Sequence, residues 1–378
     1  MSEGNLFNPT ITELRPTKTL ADNVAKIAVI GVGGGGCNMI NHMIDEGIHK
    51  VDLIVANTDL QALRVSKAPE KIQLGAELTK GLGAGMKPDI GRDSAIESYD
   101  SIKSALEGAD IVFIAVGLGG GTGTGAAAIV AKAAKEVKAL TVSVVTKPFK
   151  WEGKKRAALA NIGLEELKKV SDSIIVIKND RLKETIDETV GLKDAFKIVD
   201  NILYQAVNGM SEVILKPGSH DVNVDFADVK TIMQHRGMAL MGIGKASGED
   251  AAYRAIENAI KSPLLDEVSL ESAKGIMIHW TFNQEISLFS ITNVMELIND
   301  TIDSDADIIF GTTTDNTLAK DAVKVTIVAT GFETNLDDET TSSAEQNTQT
   351  PSSLSIDDPN YYDTPPLMRG YSIKYPLQ

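Results

Sequence analysis

Apolar residues fall along this chain in short, near-continuous runs that alternate with stretches of helical period. KIAVI (26–30), VDLIVA (51–56), ADIVFIAVG (109–117), LTVSVVT (140–146) and SDSIIVI (171–177) are rich in Val and Ile, and segments such as CNMINHMID and AAAIVAKAAKEV separate them. Such runs predict strands buried on both faces, that is, a parallel sheet covered by helices. Residues 191–216 then carry apolar side chains at i, i+3, i+4, i+7 throughout, from Leu192, Ala195, Phe196 and Val199 to Met210, Val213 and Ile214. One helix of roughly 40 Å is predicted, ended by Pro217-Gly218. Gly209 inside it costs about 1 kcal/mol relative to Ala, which points to close packing there. A second αβ region follows. Its strands are predicted at MALMGIG (238–244), KGIMIHW (274–280), ADIIFGTT (306–313) and VKVTIVATGF (323–332), with a helix at EDAAYRAIENAIKS (249–262).

Both ends of the chain differ from this pattern. Residues 1–24 are polar without a clear period and predict a mobile arm. Residues 333–378 hold eight acidic and two basic residues around a Ser/Thr/Asn/Gln-rich run, which predicts disorder. Aromatics, Leu, Met and Pro return at 361–377, as in a short recognition peptide on a tether or an ordinary hydrophobic terminus.

Charge narrows the function classes. Acidic residues outnumber basic ones by 52 to 37 over 378 residues, a net charge of −15. An overall anion is a poor generic binder of nucleic acid or anionic lipid. It can still take a phosphate ligand, because backbone N–H groups hold one without Lys or Arg. The single cysteine, Cys37, excludes an intramolecular disulfide and a Cys-based zinc site. The N-terminus lacks the basic and apolar regions of a signal peptide, and the longest apolar run, Ile111–Val116, is too short to span a bilayer. A soluble intracellular protein is expected.

Two glycine loops carry the chemistry. GVGGGGCN (31–38) and GLGGGTGTG (117–125) each follow a strand and open a helix. Glycines let the backbone approach a phosphate, and the helix N-terminus adds free N–H groups and partial positive charge. Gly31, Gly33 and Gly36 satisfy the dinucleotide fingerprint G-x-G-x-x-G, and Asp59 could serve as its ribose-binding acid. A dinucleotide fold needs one such loop, so two in one sheet argue for a different phosphate cradle. A third glycine patch, GLGAGMKP (81–88), could close over phosphates or simply be flexible. No P-loop is present, so backbone N–H groups and a Mg²⁺ would carry the phosphate charge. Cys37, at a helix start, is either a reactive thiol or a small residue filling the loop. NVDFADV (223–229) opens a helical run. Asp225 there reads as an N-cap with Asp228 on the same face, or as half of a carboxylate pair that polarises a water. Phe196 and Asp200, one turn apart, could stack on a base and accept from its N–H groups. The five histidines have no metal-ligand spacing.

Together GGGTGTG (119–125), GVGGGGCN, VANTD (55–59), TKGLGAG (79–85), TKPFKWEGKKR (146–156) and NVDFADV resemble the FtsZ branch of the tubulin family, the tubulin-like division GTPases of bacteria. The resemblance runs from about residue 25 to 332 in unbroken order. It implies an α/β, tubulin-like fold. A mobile arm (1–24) precedes a parallel-sheet GTP-binding domain (25–190), a central helix (191–216) and a smaller GTPase-activating αβ domain (217–332). A disordered acidic linker (333–362) and a partner-binding tail (363–378) follow. By motif it assigns Gly34, Gly35, Gly36, Cys37 and Asn38 to one phosphate loop, and Gly121, Thr122 and Gly123 to the other. Glu152 and Arg156 fall to the ribose and nucleotide, Asn179 and Asp200 to the base, and Phe196 to stacking on guanine. Asn223, Asp225 and Asp228 match the catalytic synergy loop, which enters the nucleotide site of the next subunit. The implied ligands are GTP or GDP with Mg²⁺. The implied partners are further copies in head-to-tail filaments, and membrane-tethering adaptors and division regulators that bind the tail. There, DTPPLMRGY (363–371) matches the family's peptide in part. The implied location is the cytoplasm, at the midcell division site, without nucleic acid or direct membrane insertion.

Overall fold

A computed structural model describes residues 25–182, 190–215, 221–235, 237–262, 265, 270–302 and 305–332. The expected arm, linker and tail lie outside these, as does the predicted helix stop at Pro217-Gly218.

Ten strands form one sheet in the order β3-β2-β1-β4-β5-β6-β7-β10-β8-β9. They are β1 (Ile27–Val32), β2 (Asp52–Asn57), β3 (Glu70–Gln73), β4 (Ile111–Gly117), β5 (Leu140–Lys147), β6 (Ser173–Lys178), β7 (Gly237–Ser247), β8 (Gly275–Phe282), β9 (Asp307–Thr314) and β10 (Ala322–Phe332). Strands β1 to β6 are mutually parallel. The Val/Ile runs of β1, β4 and β5 are buried almost throughout, as a sheet covered on both faces requires. The order 3-2-1-4-5-6 is that of a dinucleotide-binding sheet. The predicted second sheet is continuous with the first: β7 joins β6 in parallel at Ser173↔Gly237, Ile174↔Met238 and Ile175↔Ala239. Strand β10 then runs antiparallel between β7 and β8, and β9 lies parallel to β8.

Early helices are α1 (Gly33–Asp45), α2 (Leu60–Val65), α3 (Ala76–Thr79), α4 (Pro88–Glu97), α5 (Tyr99–Ala105), α6 (Thr122–Glu136), α7 (Lys154–Lys168) and α8 (Asn179–Leu182). The long helix is α9 (Leu192–Leu215), followed by α10 (Phe226–Met233), α11 (Ala251–Ile260) and α12 (Leu288–Thr301). At 24 residues, α9 spans about 36 Å. A Cβ at Gly209 would lie 2.5 Å from Met241 Cε, so α9 packs closely on β7 there. Its buried stripe Val199, Leu203, Ala206, Val207 and Met210 belongs to the same core as Val142, Val144 and Ile175.

Candidate functional site: a cavity over two glycine loops

Strands β1 and β4 are neighbours in register, Gly31 opposite Ala115 and Val32 opposite Val116, so the loops leaving their C-terminal ends meet. They meet glycine on glycine. Gly33 has φ +72°, and a Cβ there would lie 2.8 Å from the Gly123 nitrogen. A Cβ on Gly35 would lie 3.2 Å from Gly117 Cα. Gly34 and Gly120 differ, having nothing within 4 Å of where a Cβ would stand. These two face open space. The loops lead into the N-termini of α1 and α6, and neither helix has a side-chain cap among the described residues. Their first-turn N–H groups are left for an anion. The Thr58 and Thr122 hydroxyls, 2.6 Å apart, tie the end of β2 to the second loop.

Above this floor lies a cavity of about 370 Å³. Its glycine end is formed by Gly34, Gly35, Asn38, Gly120, Gly121, Thr122 and Gly123. Its middle holds Thr146, Pro148, Glu152 and Arg156. Arg156 Nη1 donates to Glu152 Oε2 at 2.6 Å, and Glu152 Oε1 accepts from the Phe149 N–H at 2.9 Å. The far end holds Asn179 and one face of α9: Phe196, Val199, Asp200 and Leu203. Phe196 is clasped edge-on by Phe149 and Trp151, with centroids at 5.8 and 6.3 Å, while those two rings stack on each other at 5.5 Å. Burial pushes the Asp200 carboxyl up to about 6, against the pull of His42. Asn179 is 4% exposed, and its Oδ1 has no partner among the described residues. A buried acceptor without a partner calls for a ligand.

Eleven of the thirteen residues matched to nucleotide contacts therefore line one cavity. Gly36 and Cys37 do not. The first turn of α1 carries them inward, where a Cβ on Gly36 would lie 2.5 Å from the Ala115 carbonyl oxygen. Cys37 is 3% exposed and its Sγ accepts from Asn57 Nδ2 at 3.5 Å. Burial pushes its thiol up to about 11; the Asn57 bond opposes that shift and Asp59 adds to it. Of its two readings, the loop-filling one fits and the reactive one does not. The patch at 81–88 packs behind the second loop, since a Cβ on Gly121 would meet Ala84 Cβ and the Lys87 nitrogen, each at 2.9 Å. Asp59 caps α2 by accepting from the Gln61 and Ala62 N–H groups, so it does not act as a ribose acid of this cavity. Val199, Leu203, Thr146 and Pro148 are lining residues that the motifs did not single out. The first two belong to the α9 stripe, read as core, and the others to the segment 146–156.

Asn223, Asp225 and Asp228 lie elsewhere. Asp225 caps α10, its Oδ1 accepting from the Asp228 N–H at 2.8 Å. At the other end of α10 the Met233 carbonyl accepts from Ser173 Oγ, at the start of β6. Asn179 follows the end of β6, about 20 Å further along at 3.3 Å per residue. The segment leading into α10 lies against β9, where the Val222 carbonyl accepts from the Thr312 N–H at 2.8 Å, and none of the three residues lines the cavity. Among the described residues no group of three or more His, Cys, Asp or Glu side chains is gathered as a metal site needs, and no helix is long and apolar enough to cross a membrane.

Residues 26–187 match the model of the tubulin/FtsZ family GTPase domain, and residues 237–333 match that of the FtsZ family C-terminal domain. The chain belongs to the tubulin/FtsZ family. An empty FtsZ dimer from M. jannaschii is 45% identical, superposes with a TM-score of 0.74, and the match covers 81% of this chain and 88% of that one. A point mutant of the same FtsZ gives the same identity and TM-score, with 91% of its chain covered. M. jannaschii is an archaeon, so the likeness does not by itself point to a bacterial source. CetZ2 from Haloferax volcanii, as a GTPγS-bound protofilament, shares the fold at 19% identity and a TM-score of 0.71, covering 83% of this chain and 96% of that one. Family membership makes the chain a GTP/GDP-binding GTPase of the self-associating, cytoskeletal kind. The cavity fits such a ligand: a lysine-free glycine floor under two helix N-termini suits phosphates, and a stacking ring with one buried and one half-buried acceptor suits a purine edge.

Proposed function

We propose that the chain is an assembly-dependent GTPase of the cell-division ring, whose complete hydrolytic site forms between two copies. The observation that carries this reading is the separation of parts. The phosphate cradle opens at the C-terminal ends of β1 and β4, while Asn223, Asp225 and Asp228 follow a segment that lies against β9, at the far flank of the ten-stranded sheet, and none of them lines the cradle. Head-to-tail stacking places the acids of one copy over the cradle of the next. The solved relatives described as a dimer and as a protofilament support this arrangement.

Within the site, Gly34, Gly35, Asn38, Gly121, Thr122 and Gly123 hold the phosphates through backbone N–H groups and the Asn38 and Thr122 side chains. Gly36 and Cys37 keep that loop in place from behind. Arg156 and Glu152 position the sugar. Phe196 stacks on guanine, and Asn179 and Asp200 accept from its edge. Asp225 and Asp228 of the adjoining copy orient and polarise the attacking water, with Asn223 beside them. A Mg²⁺ would enter with the nucleotide rather than on this chain's acids, since Glu152 is paired with Arg156 and Asp200 stands at the base end. It would supply the phosphate neutralisation that a P-loop lysine gives elsewhere. Residues 363–378 would take membrane-tethering adaptors and regulators, holding the filament at midcell on the cytoplasmic side.

A mixing experiment tests the shared site. Asp225→Asn chains keep the cradle, and Gly34→Ala chains keep the acids. Each alone is expected to be nearly inactive, and a mixture to regain a measurable part of the GTP turnover. Turnover per chain is also expected to rise with protein concentration. A mixture no more active than its parts, or concentration-independent turnover, overturns the reading.

A further inference from the structure

The ring at the base end of the first cavity gets little hold from its own helix. Phe196 stands in the second turn of α9, where residues 191–194 and 196–197 are exposed, and burial of the helix begins at Val199. Phe196 itself is 38% exposed. A side chain on an exposed turn changes rotamer on the ps–ns scale, and fixing it costs affinity when a ligand needs one orientation. In this structure the hold comes from outside α9.

It comes from the segment between β5 and α7. Lys150–Glu152 form one 3₁₀ turn, and the rings before and within it, Phe149 and Trp151, lie nearly parallel at 18°. Both meet the Phe196 ring close to perpendicular, at 81° and 74°, the edge-to-face arrangement that aromatic pairs favour. The two differ in burial. Phe149 is 3% exposed and belongs to the hydrophobic core. Trp151 is 55% exposed, does not line the cavity and is no member of that core. The turn that presents it is tied down, the Lys150 N–H donating to Asp180 Oδ2 at 3.0 Å. Asp180 directly follows Asn179, so α8 supplies both a buried acceptor at the base end and the anchor of the turn.

We propose that Trp151 is a positioning residue of the nucleotide site: it holds the Phe196 ring, before the nucleotide arrives, in the orientation that stacks on guanine. This role depends on Phe196 stacking on guanine as proposed above. With the indole present, Phe196 is confined from two sides and guanine meets a ring already in place. Without it, Phe149 is the one ring left against Phe196, and part of the binding free energy goes into ordering Phe196. The effect runs through Phe196 alone, because Trp151 stands outside the cavity lining.

Isothermal titration of the full chain, stripped of nucleotide, with GDP tests this in a double-mutant cycle. Trp151→Ala is expected to weaken GDP binding about three- to tenfold while melting near the parent temperature, since more than half of the side chain is already in solvent. Trp151→Phe keeps an aromatic ring against Phe196 and is expected to retain most of the affinity. In a Phe196→Ala background, Trp151→Ala is expected to change the affinity by less than about twofold, because a residue acting through Phe196 has nothing left to act on. Parent-like binding by Trp151→Ala, or the same weakening in both backgrounds, overturns the positioning role and leaves the stacking role of Phe196 standing. Parent-like binding by Phe196→Ala overturns the stacking role itself, and the positioning role with it.

Discussion

Asp225 Oδ1 accepts the backbone N–H of Asp228 at 2.8 Å, so one carboxylate of the proposed catalytic pair also starts the helix that carries the other. Structural and chemical roles can be separated here. Asn caps as well as Asp, whereas Ala does not. Asp225→Asn is expected to keep its unfolding free energy in urea within a few tenths of a kcal/mol of the parent and lose GTP turnover. Asp225→Ala should lose turnover and about 1 kcal/mol of stability as well. Equal destabilisation by both variants would show that the cap is not the structural role.

Asp200 gives a pH signature of known sign. Its carboxyl titrates near 3.8 in the unfolded chain and at about 6 in the folded one. The folded state thus holds the proton more tightly, and this group's contribution to stability falls as pH rises through that window. Relative to the parent, ligand-free Asp200→Asn is expected to gain of order 1–3 kcal/mol above the folded value and nothing below the unfolded one. On the proposed contact of Asp200 with the base, guanine binding runs the other way, because the base edge would donate to a carboxylate. Parent affinity for GDP should fall as pH drops below about 6, and the weaker affinity of Asp200→Asn should stay flat there. Paired denaturation and binding series across pH check both.

Gly34 and Gly36 lie two residues apart in one helical turn with opposite surroundings. Nothing lies within 4 Å of a Cβ at Gly34, while one at Gly36 would lie 2.5 Å from a carbonyl oxygen. Gly34→Ala is therefore expected to fold at least as well as the parent, gaining up to about 1 kcal/mol from helix propensity, and to bind GTP at least tenfold more weakly. Gly36→Ala should destabilise by about 1–3 kcal/mol through overpacking. Thermal melts with nucleotide titration distinguish them.

Cys37 should be inert in the native protein. Its thiol is buried, and its thiolate forms only near pH 11. Iodoacetamide is expected to label it at the rate of unfolding, with full labelling in denaturant. Rapid native labelling would contradict the burial.

How much was legible beforehand follows from the kind of signal each residue leaves. Apolar runs announced every strand but β3, most plainly the Val/Ile runs of β1, β4, β5 and β6, which are buried on both faces. EKIQ, which forms the edge strand β3, has three polar residues in four and gave no such sign. The glycine loops were legible because a backbone approach excludes every side chain. Val199 and Leu203 were not legible as site residues: a helix face toward a ligand has the same 3.6-residue period as one toward a core. That Asp225 lies away from the cradle was implied by the family resemblance and not by spacing, which does not say beside which strand a loop emerges. Nor could the sequence reveal that the two predicted sheets are one, since strand pairing across the seam depends on α9 and α10 returning the chain to β6.

That seam has a mechanical meaning. The ladder between β6 and β7 comprises three residue pairs, fewer than any other junction of the sheet, and all lie in the half of β6 away from Asn179. A torque between the two flanks of the sheet would concentrate on this short zip and on α9 beside it. A subunit bent about this line would yield there before it yields along either flank, and the strain would be felt where α9 passes the Asp200 face of the cavity.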